Sequence, residues 1–362
     1  MKIETKIVTI LMCAALALSA CNKKLPDTSV EEQQVPVGFS AKSQAVWVKS
    51  GETPTTSFPY TNFGVWGIAR MTEAQSPYIL WSSSQLTAVN APEGTVTNHP
   101  TNPNPVVFTP VTAAYWLKDY AYDFLAVAPF NDEGLSAVAF TRKEASETGK
   151  DYMTFTYDLT PKYEDLDYDF DLLGAAAQTG PVAGGRKDSQ DLMFWHLLSQ
   201  ISIDLKFGKD AKNEQIVGVI TAIRLSPNPS ANYTLTYDNT STNSTAPTGI
   251  SCTTITPTAA NPKPILAFTN NASTASIGPI NIVPQSASDL ALEIDFTITE
   301  SPSSTADYTG FTVNLNVPGK LEAYEANGKY SYDITIGSKA AISFGVEVNG
   351  EWIEAQTPGI NM

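Results

Sequence analysis

Short segments in which apolar and polar residues alternate, separated by turn residues, run through most of this sequence. The alternation is clearest in ISIDLKF (201–207), LALEIDFTIT (290–299) and KYSYDITI (329–336). A period of two is typical of a half-buried strand, whereas the period of an amphipathic helix is weak throughout. Asn327-Gly328 and Asn349-Gly350 are dipeptides that favour tight hairpin turns. The pattern therefore predicts an all-β protein.

Further strand segments recur at short intervals, which favours β-sandwiches. They are 35–41, 63–70, 78–81, 122–130, 152–159, 216–226, 232–238, 265–269, 280–285, 311–317 and 342–348. Two stretches rich in Pro, Asn, Thr or Ser, 85–105 and 239–264, are predicted to be loops. Residues 111–121 and 190–198 are the segments whose pattern is compatible with short helices.

The Gly/Pro stretch 180–189 predicts a domain boundary near residue 190. On this division an N-terminal β-sandwich domain occupies 35–189 and a C-terminal β-sandwich domain occupies 190–362. The chain is longer than one domain of ordinary size, which agrees with two sandwiches.

The amino terminus has the pattern of a lipoprotein signal peptide, predicted here as residues 1–20. Lys2 and Lys6 precede an apolar run from Ile7 to Ala20, which is shorter than the about 20 apolar residues of a membrane-spanning helix. Leu18-Ser19-Ala20-Cys21 is typical of a lipobox, so we expect a lipid on Cys21 and a polar tether over 21–34. The alternative is an ordinary signal peptide followed by an incidental cysteine. The pattern predicts an exported protein, anchored by lipid in the outer membrane of a Gram-negative envelope.

Charge and cysteine usage exclude several classes of function. The formal net charge is −15, and it becomes −16 once 1–20, with two lysines and one glutamate, are removed. A chain this acidic lacks the basic patch of a nucleic-acid-binding protein. Cys13 is lost with the signal and Cys21 carries lipid, so Cys252 is left alone and no CxxC site or intramolecular disulfide is expected.

The sequence contains no recognisable catalytic motif, so we expect neither an enzyme nor a bound cofactor or metal. GxSxG, P-loop and HExxH patterns are absent. Of the two histidines, His99 lies in a Pro/Asn-rich segment. His196 lies in LMFWHLLSQI, where a packed structural histidine is the simpler interpretation.

The acidic run from Glu164 to Leu172 allows two interpretations. Its alternating carboxylates resemble a calcium loop, but Phe170 stands where the loop needs glycine and Ala176 where it needs the bidentate glutamate. Alternatively, the run is a half-buried strand with a solvated acidic face, which would discourage edge-to-edge aggregation. The second interpretation places Leu166 among the residues of the apolar face.

Aromatic residues suggest an alternative function, a surface-exposed, non-catalytic glycan-binding lipoprotein of the outer membrane. Exposed aromatic rings could stack on sugars, whereas most aromatic residues in alternating strands belong to a core. The tryptophans in question are Trp47, Trp66, Trp81, Trp116, Trp195 and Trp352.

Several segments, taken in order, resemble the fimbrillin family, the subunits of lipoprotein-derived (type V) pili. Beside the lipobox they are VPVGFSA (35–41), FGVWGIAR (63–70), AAYWLKDYAYDFLAVAP (113–129), DLMFWHLLSQISIDLKF (191–207), ITAIRLS (220–226), NIVPQ (281–285), ANGKYSYDITI (326–336) and GEWIEA (350–355). No single motif is specific, and the resemblance rests on the ordered set, which covers nearly the whole chain after the signal.

The resemblance implies two tandem transthyretin-like (Ig-like Greek-key) β-sandwich domains and assembly by strand exchange. In that scheme the chain's own first strand fills a groove, a protease removes it, and a segment of another subunit replaces it. Val35, Val37 and Phe39 are the candidate residues of this placeholder strand. The alternative is a permanent first strand that is never released.

The resemblance implies that a protease cuts the precursor after an arginine, but no arginine lies between Cys21 and Arg70 in this chain. Lys42 and Lys49 are the candidate processing sites. If neither is cut, the chain stays lipid-anchored on the outer membrane; if one is cut, it becomes part of a fimbrium. The tail after Trp352 is either a donor segment or, through its shortness, the mark of a tip or anchor subunit. The resemblance thus implies other fimbrial subunits as partners, and a host or bacterial surface ligand for an adhesive member.

Overall fold

The computed structural model describes most of the chain from residue 35 onward. The described residues are 35–43, 58–60, 62–71, 78–79, 88–90, 107–110, 113–130, 132–141, 152–179, 189–210, 212–237, 250–257, 265–301, 304–316, 321–337, 342–348 and 351–357. All of them except Val35 belong to one compact unit, Pro36–Met362. We consider only this unit below.

The described chain is almost entirely β-structure, which confirms the predicted fold class. The strands are β1 (Phe39–Ser43), β2 (Asn62–Met71), β3 (Tyr78–Ile79), β4 (Ala88–Asn90), β5 (Val107–Pro110), β6 (Tyr120–Ala128), β7 (Leu135–Thr141), β8 (Tyr152–Asp158), β9 (Leu173–Thr179), β10 (Gln190–His196), β11 (Ser199–Phe207), β12 (Val217–Ser226), β13 (Ser230–Tyr237), β14 (Ile250–Pro257), β15 (Ile265–Ala272), β16 (Thr274–Ile282), β17 (Gln285–Ser286), β18 (Ala291–Ser301), β19 (Ser304–Asn314), β20 (Ala323–Tyr324), β21 (Lys329–Ile336), β22 (Ile342–Val348) and β23 (Glu351–Thr357). Among the described residues, one α-helix, α1 (Thr160–Glu164), and one 3-10 turn, Ala287–Asp289, accompany the strands.

The first sheet has eight strands in the order β3-β2-β4-β5-β1-β10-β9-β6. β2 also pairs with β6 from Gly64 to Met71, so the hydrogen-bonded ladder returns to β2. In this sheet β1 lies between β5 and β10 and is therefore an interior strand.

A second sheet, in the order β14-β13-β8-β7, packs against the first. Their shared core contains Trp66 and Leu125 from the first sheet, and Phe155 and Tyr233 from the second. The rings of Phe155 and Tyr233 stack with centroids 5.0 Å apart. This sandwich is therefore closed by strands from two distant parts of the chain, β7–β8 and β13–β14.

A further sandwich lies in the C-terminal half, where the sheet β16-β11-β21-β22-β23 packs on the sheet β15-β12-β18-β19. Buried and half-buried or exposed residues alternate along β11 and β21 because one face of each strand meets this core. β22 and β23 pair antiparallel with Val348 opposite Glu351, which confirms the hairpin predicted at 349–350.

Several sequence-based expectations were wrong in detail. The apolar run 190–198 forms strand β10 instead of a helix, and no helix is present among the described residues of 111–121. β4 lies inside the predicted loop 85–105, and β14 lies inside the predicted loop 239–264. The domain boundary near residue 190 stays a prediction; β10 pairs with β1 and β9, and β13 pairs with β8.

Candidate functional site

Strand β1 is held by main-chain hydrogen bonds along both of its edges. It pairs in parallel with β10 through five residue pairs, from Phe39 opposite Gln190 to Ser43 opposite Phe194. On its other edge it pairs antiparallel with β5 at Phe39 and Ser40. Just before the strand, the Val37 N–H donates to the Ala114 carbonyl oxygen at 2.8 Å. The segment 37–43 is therefore an integral part of the first sheet.

The apolar side chains of this segment alternate into the core, as the sequence predicted. Val37 and Phe39 are completely buried, Ala41 is nearly so, and Val35 is half-buried. The Phe39 ring meets Phe124 edge-on at 5.2 Å and Phe63 at 6.1 Å. Because such edge-to-face pairs add to the free energy of burial, Phe39 is the main apolar anchor of β1.

The opposite face of β1 carries a polar contact. Ser40 is 1% exposed, and its hydroxyl donates a hydrogen bond to the carboxylate of Asp191 on β10. The neighbouring Gln190 N–H donates to the Gly38 carbonyl oxygen at 2.7 Å. The register of β1 on β10 is therefore fixed by the Ser40–Asp191 hydrogen bond as well as by the main-chain hydrogen bonds between the two strands.

The structure describes only some of the residues that the sequence singled out. Lys42 lies within β1, opposite Met193, and its side chain is outside the described residues. Cys252 pairs with Leu235 through the β14 backbone, and its side chain is also outside them. Cys21, Lys49, His99 and the side chains of Trp47, Trp81 and Trp352 lie outside the described residues. Trp66 and Trp116 are buried, and Trp195 is half-buried, so the three described tryptophans offer no open stacking platform.

The acidic run after residue 163 does not form the predicted half-buried strand. Helix α1 ends there in a Schellman turn. The Asp167 N–H donates to the Lys162 carbonyl oxygen at 2.9 Å, and the Leu166 N–H donates to the Tyr163 carbonyl oxygen at 3.3 Å. Leu166 occupies the left-handed position of this turn (φ 60°) and is 69% exposed, so it does not belong to an apolar face. The backbone N–H groups of Leu166 and Asp167 cap the helix and are therefore not available for strand pairing.

Polar contacts anchor this turn to its surroundings. Lys162 Nζ lies 2.7 Å from the Asp132 carboxylate, which also accepts a hydrogen bond from the Tyr157 hydroxyl at 2.6 Å. Burial acts to raise the pKa of Asp132, but the hydrogen bonds from Lys162 and Tyr157 outweigh it and hold the pKa below its usual value. Burial raises the pKa of the Tyr163 phenol, which donates to the Asn281 carbonyl oxygen at 2.9 Å.

A pocket of about 240 Å³ opens beside the turn. Segments from four parts of the chain line it: 169–171, the junction of β10 and β11, the end of β16, and the turn before β21. Its polar side chains are Asp169, Asp171, His196, Gln200, Asn281 and Asn327. Sequence reasoning missed this pocket because its residues come together only through long-range strand pairing.

Hydrogen bonds fix the walls of this pocket. His196 Nδ1 contacts the Asp171 carboxylate, which agrees with the structural role expected for His196. The Asn281 amide donates to the Phe170 carbonyl oxygen at 2.9 Å and accepts from Gln200 at 3.3 Å. Within the described part of the chain, no group of three or more His, Cys, Asp or Glu side chains could hold a metal ion. No helix among the same residues has the length and hydropathy needed to cross a bilayer.

Comparison with known proteins places these features in context. The profile of one family, described as Fimbrillin-like, matches residues 61–352. The match begins after β1 and covers both sandwiches. No curated protein matches the chain significantly.

Solved structures of fimbrial proteins are among those similar to this chain. A fimbrial protein from Bacteroides vulgatus shares 16% identity and a TM-score of 0.50, covering 86% of this chain and 98% of that one. A fimbrial assembly protein from Parabacteroides distasonis shares 10% identity (89% and 99% covered, TM-score 0.38). The fimbrial anchor protein Mfa2 from Porphyromonas gingivalis shares 11% identity (89% and 99% covered, TM-score 0.36). At such identities the likeness to the first of these structures describes the β-sandwich fold alone.

Proposed function

Because this chain belongs to the fimbrillin-like family, we propose that it is a structural or adhesive subunit of a lipoprotein-derived (type V) fimbria. Family membership supports a fimbrial, surface-associated protein that associates with other fimbrial subunits and has no catalytic role. In this proposal the chain is exported, a lipid on Cys21 holds it in the outer membrane, and β1 is exchanged for a strand of another subunit.

The observation that carries the exchange step is the position of β1 inside the first sheet. Removal of β1 would leave unpaired edges on β5 and β10 and would uncover the rings of Phe63 and Phe124. Unpaired edges beside apolar surface bind any extended segment, so the groove needs an occupant at all times. A strand added there gains main-chain hydrogen bonds, and its alternate side chains fill the pockets.

The contacts of β1 define the strand that would replace it. The incoming segment places an apolar residue at the position of Val37, an aromatic residue at Phe39 and a small residue at Ala41. Burial of a side chain of the size of Val or Phe contributes about 1.5–3 kcal/mol, so an exchanged strand dissociates slowly.

The extent of β1 favours Lys49 over Lys42 as the processing site. Lys42 lies within the ladder opposite Met193, where the paired backbone is protected from a protease. Cleavage after Lys49 would release the whole strand with its tether, whereas cleavage after Lys42 would leave Ser43 of the strand behind.

The first test is intact-mass analysis of the protein from native outer membranes, with its amino terminus identified. A terminus at residue 50 without lipid supports processing and strand exchange. A lipid-modified Cys21 terminus alone supports a permanent β1 and an anchor position. An unlipidated terminus at residue 21 or earlier contradicts the lipid anchor.

Exchange itself is measured with a labelled peptide of residues 35–43. The purified protein is cut by a lysine-specific protease, and the protease is inhibited before excess peptide is added, because the free peptide contains Lys42. Bound label is then followed by size-exclusion chromatography. The Lys49→Gln variant, which blocks that cut, is the matched control. We expect label to enter only the cut protein, and a peptide with Phe39→Ala to enter poorly. Persistence of unlabelled monomers throughout would contradict the exchange step.

A further inference from the structure

The pocket beside the α1 turn lies apart from the residues that pair with β1. None of its lining residues belongs to β1 or β5. Its walls converge from four segments, and the contacts of His196 with Asp171 and of Asn281 with Gln200 hold them in place. A site whose side chains are already positioned loses little conformational entropy when it binds a ligand.

The chemistry of the walls narrows the class of ligand. The carboxylates of Asp169 and Asp171 repel anions, and burying these polar groups against an apolar ligand would cost their hydration. Among the described residues, no three or more His, Cys, Asp or Glu side chains are grouped so that they could hold a metal ion. The carboxylates accept hydrogen bonds, and the Gln200 amide can both donate and accept them. The Asn281 amide already donates to the Asp169 and Phe170 carbonyl oxygens and accepts from Gln200, so it supports the wall and is not free for a ligand.

A hydroxyl group matches such mixed walls because it donates and accepts at the same time. The pocket volume of about 240 Å³ is below the roughly 300–1,000 Å³ of a site for a drug-sized ligand. It therefore suits one small polyhydroxylated ring, with the remainder of a longer ligand in solvent.

We propose that this pocket binds a single neutral saccharide unit through the carboxylates of Asp169 and Asp171 and the amide of Gln200. Asp169 is exposed at its mouth and is accessible to a ligand, whereas Asp171 is held by His196. This binding is independent of the proposed fimbrial assembly, and it would give a surface subunit an adhesive function without stacking on tryptophan.

The test uses saturation-transfer NMR and titration of the purified full-length protein with the methyl glycosides of galactose, mannose, fucose and N-acetylglucosamine. We expect saturable binding of at least one glycoside with a Kd of about 1–10 mM, as fits a single ring. Asp169→Asn should weaken it roughly tenfold or more, because a hydrogen bond to a charged group is lost. Asp169→Leu should abolish it.

The matched controls are Asp165→Asn and Asp165→Leu, since Asp165 is an exposed carboxylate of the same turn that does not line the pocket. Both controls should bind as the unchanged protein does. Equal melting temperatures of all variants would establish that any lost binding is local. Absence of saturable binding to all four glycosides, equal binding by Asp169→Leu, or binding of the diamine cadaverine in their place would each overturn the proposal.

Discussion

Replacement of Phe39 by alanine tests whether β1 is packed as strongly as its contacts imply. The side chain is completely buried, with its ring edge-on to Phe124 at 5.2 Å and to Phe63 at 6.1 Å. Truncation of a buried phenylalanine to alanine costs about 3–5 kcal/mol, since it loses burial and leaves a cavity. A domain of ordinary stability has about 5–15 kcal/mol in total, so the change should be large.

The assay is urea unfolding of the purified protein followed by tryptophan fluorescence. We expect a lower midpoint with an unchanged slope, because the slope reports the surface exposed on unfolding. Tyr115→Ala is the control: Tyr115 lies beside the same segment, opposite Pro36, but is 39% exposed. A change there should stay within about 0.5 kcal/mol.

The same substitution should accelerate release of the strand after cleavage. A loss of 3–5 kcal/mol corresponds to about a hundredfold to several thousandfold in the equilibrium for β1 leaving its groove. A destabilisation below about 1 kcal/mol by Phe39→Ala would refute the packing argument, because a fully buried ring cannot be removed at so small a cost.

Three further predictions concern other parts of the first sandwich. Gly64→Ala should destabilise the protein by about 1–3 kcal/mol in thermal melts, because an added Cβ would lie 2.3 Å from the Phe130 ring; an unchanged melting temperature would contradict this. Because the pKa of Asp132 is lowered in the folded protein, its contribution to stability is present above a pH of about 4 and is lost as the pH falls through the folded-state pKa. Asp132→Asn breaks the ion pair with Lys162, so the urea midpoint of this variant should depend less on pH in that acid range. An equally steep decline of the midpoint in the variant would argue against this. Tyr233→Ala should cost about 3–5 kcal/mol in urea unfolding, and a loss under about 1 kcal/mol would mean that β13 does not close the first core.

Alternation in the sequence identified the strands that have one face on a core. β11 and β21 were predictable because their buried residues recur at every second position. The segment LMFWHLL at 192–198 suggested a helix instead of β10 because its sequence does not alternate between apolar and polar residues. The outer face of β10 is partly covered, so it does not need a polar residue at every second position. Trp195 and His196 in that segment are half-buried, and neither face of the strand is marked by a series of polar residues.

The candidate site was predictable only in part. The inward direction of Val37 and Phe39 follows from a period of two and was confirmed. The parallel partner of β1 is β10, which lies far along the chain, and local sequence carries no signal for such a pairing. The pocket residues Gln200 and Asn281 were missed for the same reason.

The return of β13 and β14 to the first sandwich has a consequence for the order of events during synthesis. A chain emerges from its amino terminus, and its early parts begin to fold first. Here the edge of β8 and the rings beside Phe155 stay uncovered until residues 230–257 have emerged, after β11 and β12 have been made. The nascent protein thus passes through a period in which a half-built sandwich is exposed to solvent. A chaperone that protects unpaired strands would act in that interval.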